Sequence, residues 1–305
     1  METKLNDSHF LLPGAVTIFT TTKPVQLGKV YSLANDGSLS KEVAGHMIEG
    51  RYEVKRFSTV EDLAALLSSI DTNQAISGSL PVEGLSEAGA IASKKLRAAK
   101  PDEYQQHVER SKTNFTFRQG TPGVLSLDYD PRPGMSVLSR SDLWEILQLA
   151  IPGIEAAGVL AWSSGSSHIY YDDRELQGVR GQRLYAMVQD AADVPRVCDV
   201  LSARLWLAGY GWICVSDSGA RLHRQVFDEA MREPARLDFV GGAVCKPPLV
   251  QRRGSPEILA AGGFLDTRVA LPDLTRDEAA KVEALKRAAY DAATDEAAAA
   301  RARWE

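Results

Sequence analysis

The 305-residue chain has few cysteines and no long apolar segment. Its three cysteines, Cys198, Cys214 and Cys245, are odd in number and far apart, so we expect reduced, structural thiols. No apolar run approaches the ~20 residues that a membrane-spanning helix needs. Residues 1–7 lack the basic start and apolar core of a signal peptide. These absences argue against disulfide-rich secreted proteins and membrane proteins and predict a cytoplasmic location.

The chain also lacks an excess of positive charge. Its 35 Lys and Arg residues face 40 Asp and Glu residues, which gives a net charge of −5. A surface that binds nucleic acid must therefore be local. The basic clusters at residues 94–100 and 252–253 are candidates, although each is equally compatible with a solvated helix face or loop.

The first 120 residues mix short strand and helix patterns, and we predict an N-terminal α/β subdomain over residues 1–120. The predicted elements are strands at 16–20 and 114–118, a helix at 59–69 begun by a Ser58–Glu61 capping box, and a helix at 86–99.

From residue 123 the pattern is clearer. It predicts a strand at 124–129, a helix at about 140–151, strands at 158–162 and 183–188, a helix at 194–208, and strands at 211–215 and 220–226. The first six elements have the order β-α-β-β-α-β, which is that of ferredoxin-like and RNA-recognition-motif (RRM) folds. We therefore predict an α+β protein with an RRM-like core over residues 121–270, whose first and third strands are central neighbours.

Residues 271–305 predict one long C-terminal helix. A Thr275–Glu278 capping box begins it, and alanine dominates through Ala302. Because no stop signal follows, we expect the chain to be a piece of a longer protein, cut within a helical connector. An ordinary frayed terminal helix is the alternative.

The most informative motif is the pair Asp128 and Asp130 at the end of an apolar run. On a strand, residues two apart share a face, so Ser126, Asp128 and Asp130 point away from Leu125 and Leu127. Two carboxylates on one buried face repel each other unless a cation lies between them. The pair predicts a divalent-metal site of the kind that handles phosphates. A strand that simply runs into an Asp-Pro turn is the alternative.

A two-metal site needs further acids, and phosphates need hydroxyl or basic groups. Asp217, Asp228 and Asp238 are the candidate third acids. Asp217 fits a turn, and we prefer Asp228. The polar run at residues 163–168 ends in His168, and Arg183 can share a strand face with Tyr185, so both segments are candidates for phosphate contacts. A flexible loop and a surface arginine are the alternatives.

These motifs resemble the archaeo-eukaryotic primase (primase-polymerase) superfamily, especially the primase-like N-terminal regions of replication proteins of phages, plasmids and mobile elements. Leu125-Ser-Leu-Asp-Tyr-Asp130 is similar to the acidic first motif, and residues 163–168 to the Ser/Gly-rich second motif that ends in His. Where the Gly-x-His-x-Tyr form of the second motif aligns with residues 181–185, this chain has Arg183 in place of His. Residues 224–228 and 236–239 resemble the third region, and the resemblance covers roughly residues 110–255.

The resemblance implies a DNA primase or polymerase that carries out template-directed nucleotidyl transfer in the replication of a mobile element. It implies Asp128, Asp130 and Asp228 as catalytic residues and ligands of Mg²⁺ or Mn²⁺. The implied nucleotide-binding residues are Ser167, His168, Arg183, Arg224, Lys112 and Arg118. The implied partners are single-stranded DNA, nucleoside triphosphates and a helicase region.

Two other interpretations stay open. A catalytically degenerate primase-fold module that binds single-stranded DNA or recruits a helicase is favoured by the arginine at position 183. A metal-dependent nucleotide-sugar glycosyltransferase also uses an Asp-x-Asp pair, but it usually needs a preceding parallel α/β sheet, and the first 120 residues show no clear alternating units.

Overall fold

A computed structural model describes residues 12–131 and 134–305, which form a mixed α+β structure. The segment 1–7, used above to argue against a signal peptide, lies outside the described residues, as does part of the Asp-Pro turn after Asp130. No helix among the described residues is long and apolar enough to span a bilayer.

The N-terminal part is built mainly of antiparallel strands. Its elements are β1 (Gly14–Lys23), β2 (Gly28–Leu33), β3 (Leu39–Ala44), β4 (Glu49–Phe57), α1 (Val60–Ser68), β5 (Gln74–Ser77), β6 (Leu80–Pro81), β7 (Ala88–Ala92), α2 (Lys94–Ala99) and β8 (Phe115–Thr116). Strands β5, β1, β4 and β7 form one sheet in that order, and β2 pairs with β3 in another.

The rest of the chain supplies a central sheet and the helices that cover it. Its elements are β9 (Gly123–Tyr129), α3 (Arg140–Ala150), β10 (Gly158–Ser163), β11 (Ile169–Tyr171), β12 (Arg174–Gln177), β13 (Gln182–Val188), α4 (Val194–Leu207), β14 (Gly211–Val215), β15 (Arg221–Gln225), β16 (Val244–Cys245), β17 (Leu249–Gln251), β18 (Glu257–Ala261), α5 (Thr267–Ala270), α6 (Arg276–Ala292) and α7 (Thr294–Trp304).

The central sheet has the strand order β18-β10-β13-β9, and neighbouring strands are antiparallel. The predicted first strand, β9, is therefore a direct neighbour of the predicted third strand, β13, but β9 lies at the edge of this sheet and not at its centre as predicted. Leu125 and Leu127 pack with α3 and α4 on one face, whereas Val124 packs with β1 and α1 on the other. This alternation confirms the predicted division of β9 into two faces.

The central sheet is covered on both faces. Helices α3 and α4 bury Leu143, Leu147 and Leu201 against one face. On the other face, Leu63 and Leu67 of α1 pack with residues of β1, β10 and β13. The N-terminal elements therefore share a hydrophobic core with the central sheet, and this packing brings β2 close to the end of β9.

The predicted fourth strand, 211–215, forms but does not join the central sheet. It pairs instead with β15 in a two-stranded sheet, so the hairpin predicted for 220–226 is confirmed. Ile213 packs against Trp206 of α4 and Val282 of α6, and this packing holds the hairpin away from β9. At the outer edge of β9, Asp228 forms a bridge with Asp128.

Three further predictions need correction. The helix predicted at 86–99 is wrong in its first half, because residues 88–92 form β7 on the edge of β4 and Ser93 caps the short helix α2. The capping box of α1 is Thr59 with Asp62, one residue later than predicted, because that frame buries Val60, Leu63 and Leu67.

The third correction concerns the C-terminal helix, which is divided into α6 and α7 at Ala293. The Arg221 guanidinium donates hydrogen bonds to the Tyr290 carbonyl and the Thr294 hydroxyl at 2.8 Å each, so a side chain of β15 fixes the break. The predicted Thr275–Glu278 capping box is confirmed.

Candidate active site

Asp128 and Arg183 face each other across two paired strands. The register of β9 and β13 places the two residues directly opposite, and Arg183 Nε lies 3.6 Å from Asp128 Oδ1. Side chains opposite each other on an antiparallel pair share a face. Arg183 therefore lies on the strand face predicted for it, and its guanidinium is next to Asp128, the predicted metal ligand.

Asp228 reaches the same place from a different part of the chain. Its backbone N–H donates to the Asp128 carbonyl at 2.8 Å, in an antiparallel bridge just after β15. Asp130, two residues beyond Asp128, is exposed at the end of β9. The three predicted catalytic acids are thus neighbours in space, although Asp228 lies about a hundred residues further along the chain.

Asp238 is also near, but its carboxylate is already engaged. It is only 5% exposed, accepts a hydrogen bond from the Tyr185 hydroxyl at 2.7 Å, and lies 2.9 Å from Arg183 Nε. Burial and the neighbouring Asp238 carboxylate raise the pKa of Tyr185 well above its ordinary value. Burial alone would lower the pKa of Arg183, but Asp238, Tyr185, Asp128 and Asp130 together more than offset this and keep the guanidinium charged. Asp238 therefore holds Arg183 in place.

The electrostatics of Asp128 are those of a carboxylate short of positive charge. Burial raises the pKa of Asp128 to about 6, and the acids Asp238, Asp130 and Asp228 add to this, although Arg183 opposes it. Its Oδ1 atom is buried and has no hydrogen-bond partner among the described residues. A buried carboxylate oxygen without a donor is costly, and a cation is the natural group to relieve that cost.

Asp128 lines three of the cavities that the described residues form. The first, of about 400 Å³, also contains Arg110 and Arg236. The second, of about 240 Å³, contains Lys29 and residues 164–166. The third, of about 270 Å³, contains Trp212 and Arg224. Each cavity thus combines the carboxylate of Asp128 with at least one basic side chain, a combination that suits a phosphate bound with its cation.

Lys29 is a site residue that the sequence analysis missed. It lies on β2 of the N-terminal part, and its ammonium group contacts the Ser166 hydroxyl. Burial lowers the pKa of Lys29, whereas the nearby Asp130 carboxylate opposes the change. No motif surrounds Lys29 in the sequence, so only the packing of β2 beside the end of β9 could reveal it.

Ser167 and His168 have hydrogen-bond partners other than Asp128, Asp130 and Asp228. The buried Ser167 hydroxyl accepts a hydrogen bond from the Arg180 N–H at 3.0 Å and stabilises the loop. His168 has a backbone φ of 60°, and its Nδ1 lies 2.9 Å from Glu175 of the β11–β12 hairpin. Neither residue lines the three cavities at Asp128. Ser164 and Ser166 of the same loop line the cavity with Lys29.

Of the three remaining predicted nucleotide-binding residues, one lines a cavity at Asp128 and two do not. Arg224 lines the third cavity beside Asp128 and Asp130. Lys112 instead forms an exposed ion pair with Glu233, and Arg118 donates to the Pro81 carbonyl at 2.7 Å. Lys112 and Arg118 do not line the three cavities.

Two further findings bear on identity. Within residues 12–131 and 134–305, no group of three or more His, Cys, Asp or Glu side chains is arranged to hold a metal ion. Comparisons with protein-family models, curated proteins and solved structures gave no match to this chain.

Proposed function

We propose that the chain is a metal-dependent nucleotidyltransferase, a primase or polymerase that extends a nucleic-acid strand on a single-stranded DNA template. The observation that carries this proposal is the convergence of Asp128, Asp130 and Asp228 where cavities with basic walls meet. Phosphoryl-transfer sites need carboxylates for the cations and basic groups for the phosphates.

The donor chemistry of the three acids suits Mg²⁺ or Mn²⁺, although the described side chains are not arranged as a preassembled metal site. Asp128 offers a buried oxygen without a hydrogen-bond donor, and Asp130 and Asp228 add carboxylates at the same cavity. Mg²⁺ is usually held by one or two carboxylates together with substrate phosphates, so a site of this kind need not be preassembled. The bound ions would supply activation of the attacking hydroxyl and stabilisation of the leaving group.

The chain's own basic residues would hold the triphosphate. Lys29 and Arg183 flank the cavity that Ser164 and Ser166 also line. An ammonium group and a guanidinium beside hydroxyls match a polyphosphate in charge and hydrogen bonding. In this proposal Arg183, rather than His168, fills the second-motif role.

The proposal includes an RRM-like origin for the central sheet. Strands β9, β13 and β10 are adjacent in the order expected for the first, third and second strands of a βαββαβ unit, with α3 between β9 and β10 in sequence. The hairpin β14–β15 departs from that plan, because its first strand lies outside the sheet. The order of the three strands supports the proposal, and the displaced fourth strand is a distinctive feature of this chain.

A second candidate is a non-catalytic module that binds single-stranded DNA. Arg183 favours it, because a guanidinium between Asp128 and Asp238 supplies part of the positive charge that a metal ion would bring. This module would bind DNA without metal and would incorporate no nucleotide. No comparable observation favours the glycosyltransferase, since the sheet that contains β1 is antiparallel.

Primer extension distinguishes the two candidates. The assay uses a primed single-stranded DNA template, nucleoside triphosphates and Mn²⁺, with the double variant Asp128→Asn/Asp130→Asn. We expect extension by the parent chain and its loss in the variant. The control Asp102→Asn/Asp173→Asn makes the same charge change at exposed positions and should keep activity. Extension that survives in the first variant would exclude the assigned carboxylates, and its absence in the parent chain would favour the binding module.

A further inference from the structure

We infer that a single strand of nucleic acid passes from the carboxylates, along the hairpin β14–β15, into a cleft between that hairpin and α6. We call this cleft the α6 cleft and define its walls by Trp206, His223, Lys286, Arg287 and Tyr290. The inference rests on the proposed function only where it identifies the strand as the template.

The α6 cleft is large and has charged and aromatic walls. Its volume is about 380 Å³, and α4, β15 and α6 contribute its walls. Lys286 lies 4.0 Å from Glu283, a weak contact with a carboxylate that is 72% exposed. Arg287 is exposed and forms no ion pair with another described residue. The two side chains therefore keep positive charge available for phosphates in a chain whose net charge is −5.

The aromatic rings of the cleft form a continuous row. The ring centroids of Trp206 and His223 are 5.8 Å apart, and those of His223 and Tyr290 are 6.0 Å apart with planes inclined by only 17°. The Arg221 guanidinium lies 3.6 Å from the Tyr290 ring centre. Rings next to cations are the usual platform for unpaired bases, because every base can stack on a π face whatever its sequence.

The α6 cleft connects with the candidate active site. His223 and Gln225 line both the cleft and the cavity that contains Asp128. In that cavity, Trp212 and Arg224 lie opposite each other on the paired strands. An aromatic ring and a guanidinium thus recur along one route, as expected for a bound strand rather than for a single nucleotide.

The test measures binding of the full chain to fluorescein-labelled oligo(dT) by anisotropy, without nucleotide or divalent metal. For Lys286→Gln/Arg287→Gln we expect roughly tenfold weaker binding at low salt, and a salt dependence whose logarithmic slope falls by about 1.4, since each contact to single-strand phosphate contributes about 0.7. The control Arg276→Gln/Lys281→Gln removes the same charge from the same helix, outside the cleft. It should bind within about twofold of the parent chain, because exposed charges remote from the strand contribute little.

Equal losses in the two variants, or no loss in either, would overturn the inference. Oligo(U) measured in parallel separates DNA from RNA, and equal competition by free mononucleotide would overturn the strand assignment in favour of a nucleotide pocket.

Primer extension keeps the two proposals separate. If the parent chain does not extend a primer but its DNA binding depends on Lys286 and Arg287, the strand site stands and the proposed chemistry fails. If the parent chain extends a primer but its DNA binding does not depend on Lys286 and Arg287, the strand site is wrong and the proposed nucleotidyl transfer stands.

Discussion

The substitution Asp128→Asn tests the electrostatics of the candidate site without a substrate. It replaces a carboxyl whose pKa is raised from 3.8 to about 6 by burial and by neighbouring acids, although Arg183 opposes the shift. The amide has nearly the same shape but no charge. The difference in the free energy of unfolding between variant and parent therefore measures how much the ionised Asp128 carboxylate destabilises the folded protein.

Proton binding determines whether Asp128→Asn is more or less stable than the parent chain at a given pH. Below pH 4 the Asp128 carboxyl is protonated in both the folded and the unfolded chain, so the variant and the parent should be about equally stable. Between about pH 4 and pH 6 the unfolded chain releases this proton while the folded chain retains it, so the parent's stability falls as pH rises. Above pH 6 the whole cost is present, and we expect the variant to be the more stable protein.

The expected difference in the free energy of unfolding follows from the same shift in the pKa of Asp128. The difference between 3.8 and about 6 corresponds to about 3 kcal/mol for a fully buried group. The Asp128 side chain is 33% exposed, so solvent screening reduces the expected gain to about 1–2 kcal/mol at pH 7. The measurement is urea unfolding at 25 °C of parent and variant from pH 4 to pH 7.5.

The control is Asp173→Asn, which removes a carboxylate that is 99% exposed and should give a difference that hardly varies with pH. A pH-independent difference for Asp128→Asn, or a variant that is the less stable protein at pH 7, would refute the reasoning. Added Mn²⁺ at pH 7 should then stabilise the parent more than the variant, because a ligand stabilises the state that binds it.

Three other substitutions probe the surroundings of the site. Lys29→Gln should weaken the binding of Mn²⁺–nucleoside triphosphate by about tenfold through the loss of one charged contact, measured by isothermal calorimetry, whereas Lys95→Gln at an exposed position of α2 should not. Leu63→Ala should lower the free energy of unfolding by about 2–5 kcal/mol, because Leu63 is fully buried between α1 and the sheets; a loss below 1 kcal/mol in urea unfolding would contradict this packing. Gly181→Ala would place a methyl group 2.7 Å from the Tyr129 carbonyl and 2.9 Å from an Asp130 carboxylate oxygen, so it should reduce both stability and Mn²⁺ affinity; unchanged values would show that this approach is not tight.

The sequence predicts the parts of the site that depend on local periodicity. The alternation along residues 123–130 places Asp128 on one face, and the parity of β13 places Arg183 on the matching face. Both predictions hold because strand geometry fixes side-chain direction every second residue. The order of elements also places β9 beside β13, which makes the two faces continuous.

Features that depend on tertiary packing were harder to predict. Residues 88–92 have a composition that suits a helix, yet they form a strand, because the edge of β4 offers backbone hydrogen bonds. The sequence predicts the strand at 211–215 but not the sheet it joins, because Ile213 packs on α4 and α6. Local propensity is weaker than such packing.

Lys29 shows why a site can have a component that no motif reveals. Its strand, β2, lies about a hundred residues before β9, and nothing in its composition indicates a position beside Asp128 and Asp130. Its position is set by a parallel pairing in which Val30 and Tyr31 lie opposite Val244 and Cys245. Tyr31 is buried in the same cluster as Ile169, and this apolar packing positions the strand that holds the Lys29 ammonium group against Ser166. A substitution that loosens the packing of Tyr31 should therefore move the Lys29 ammonium group relative to the Asp130 carboxylate, although Tyr31 itself lies in the core.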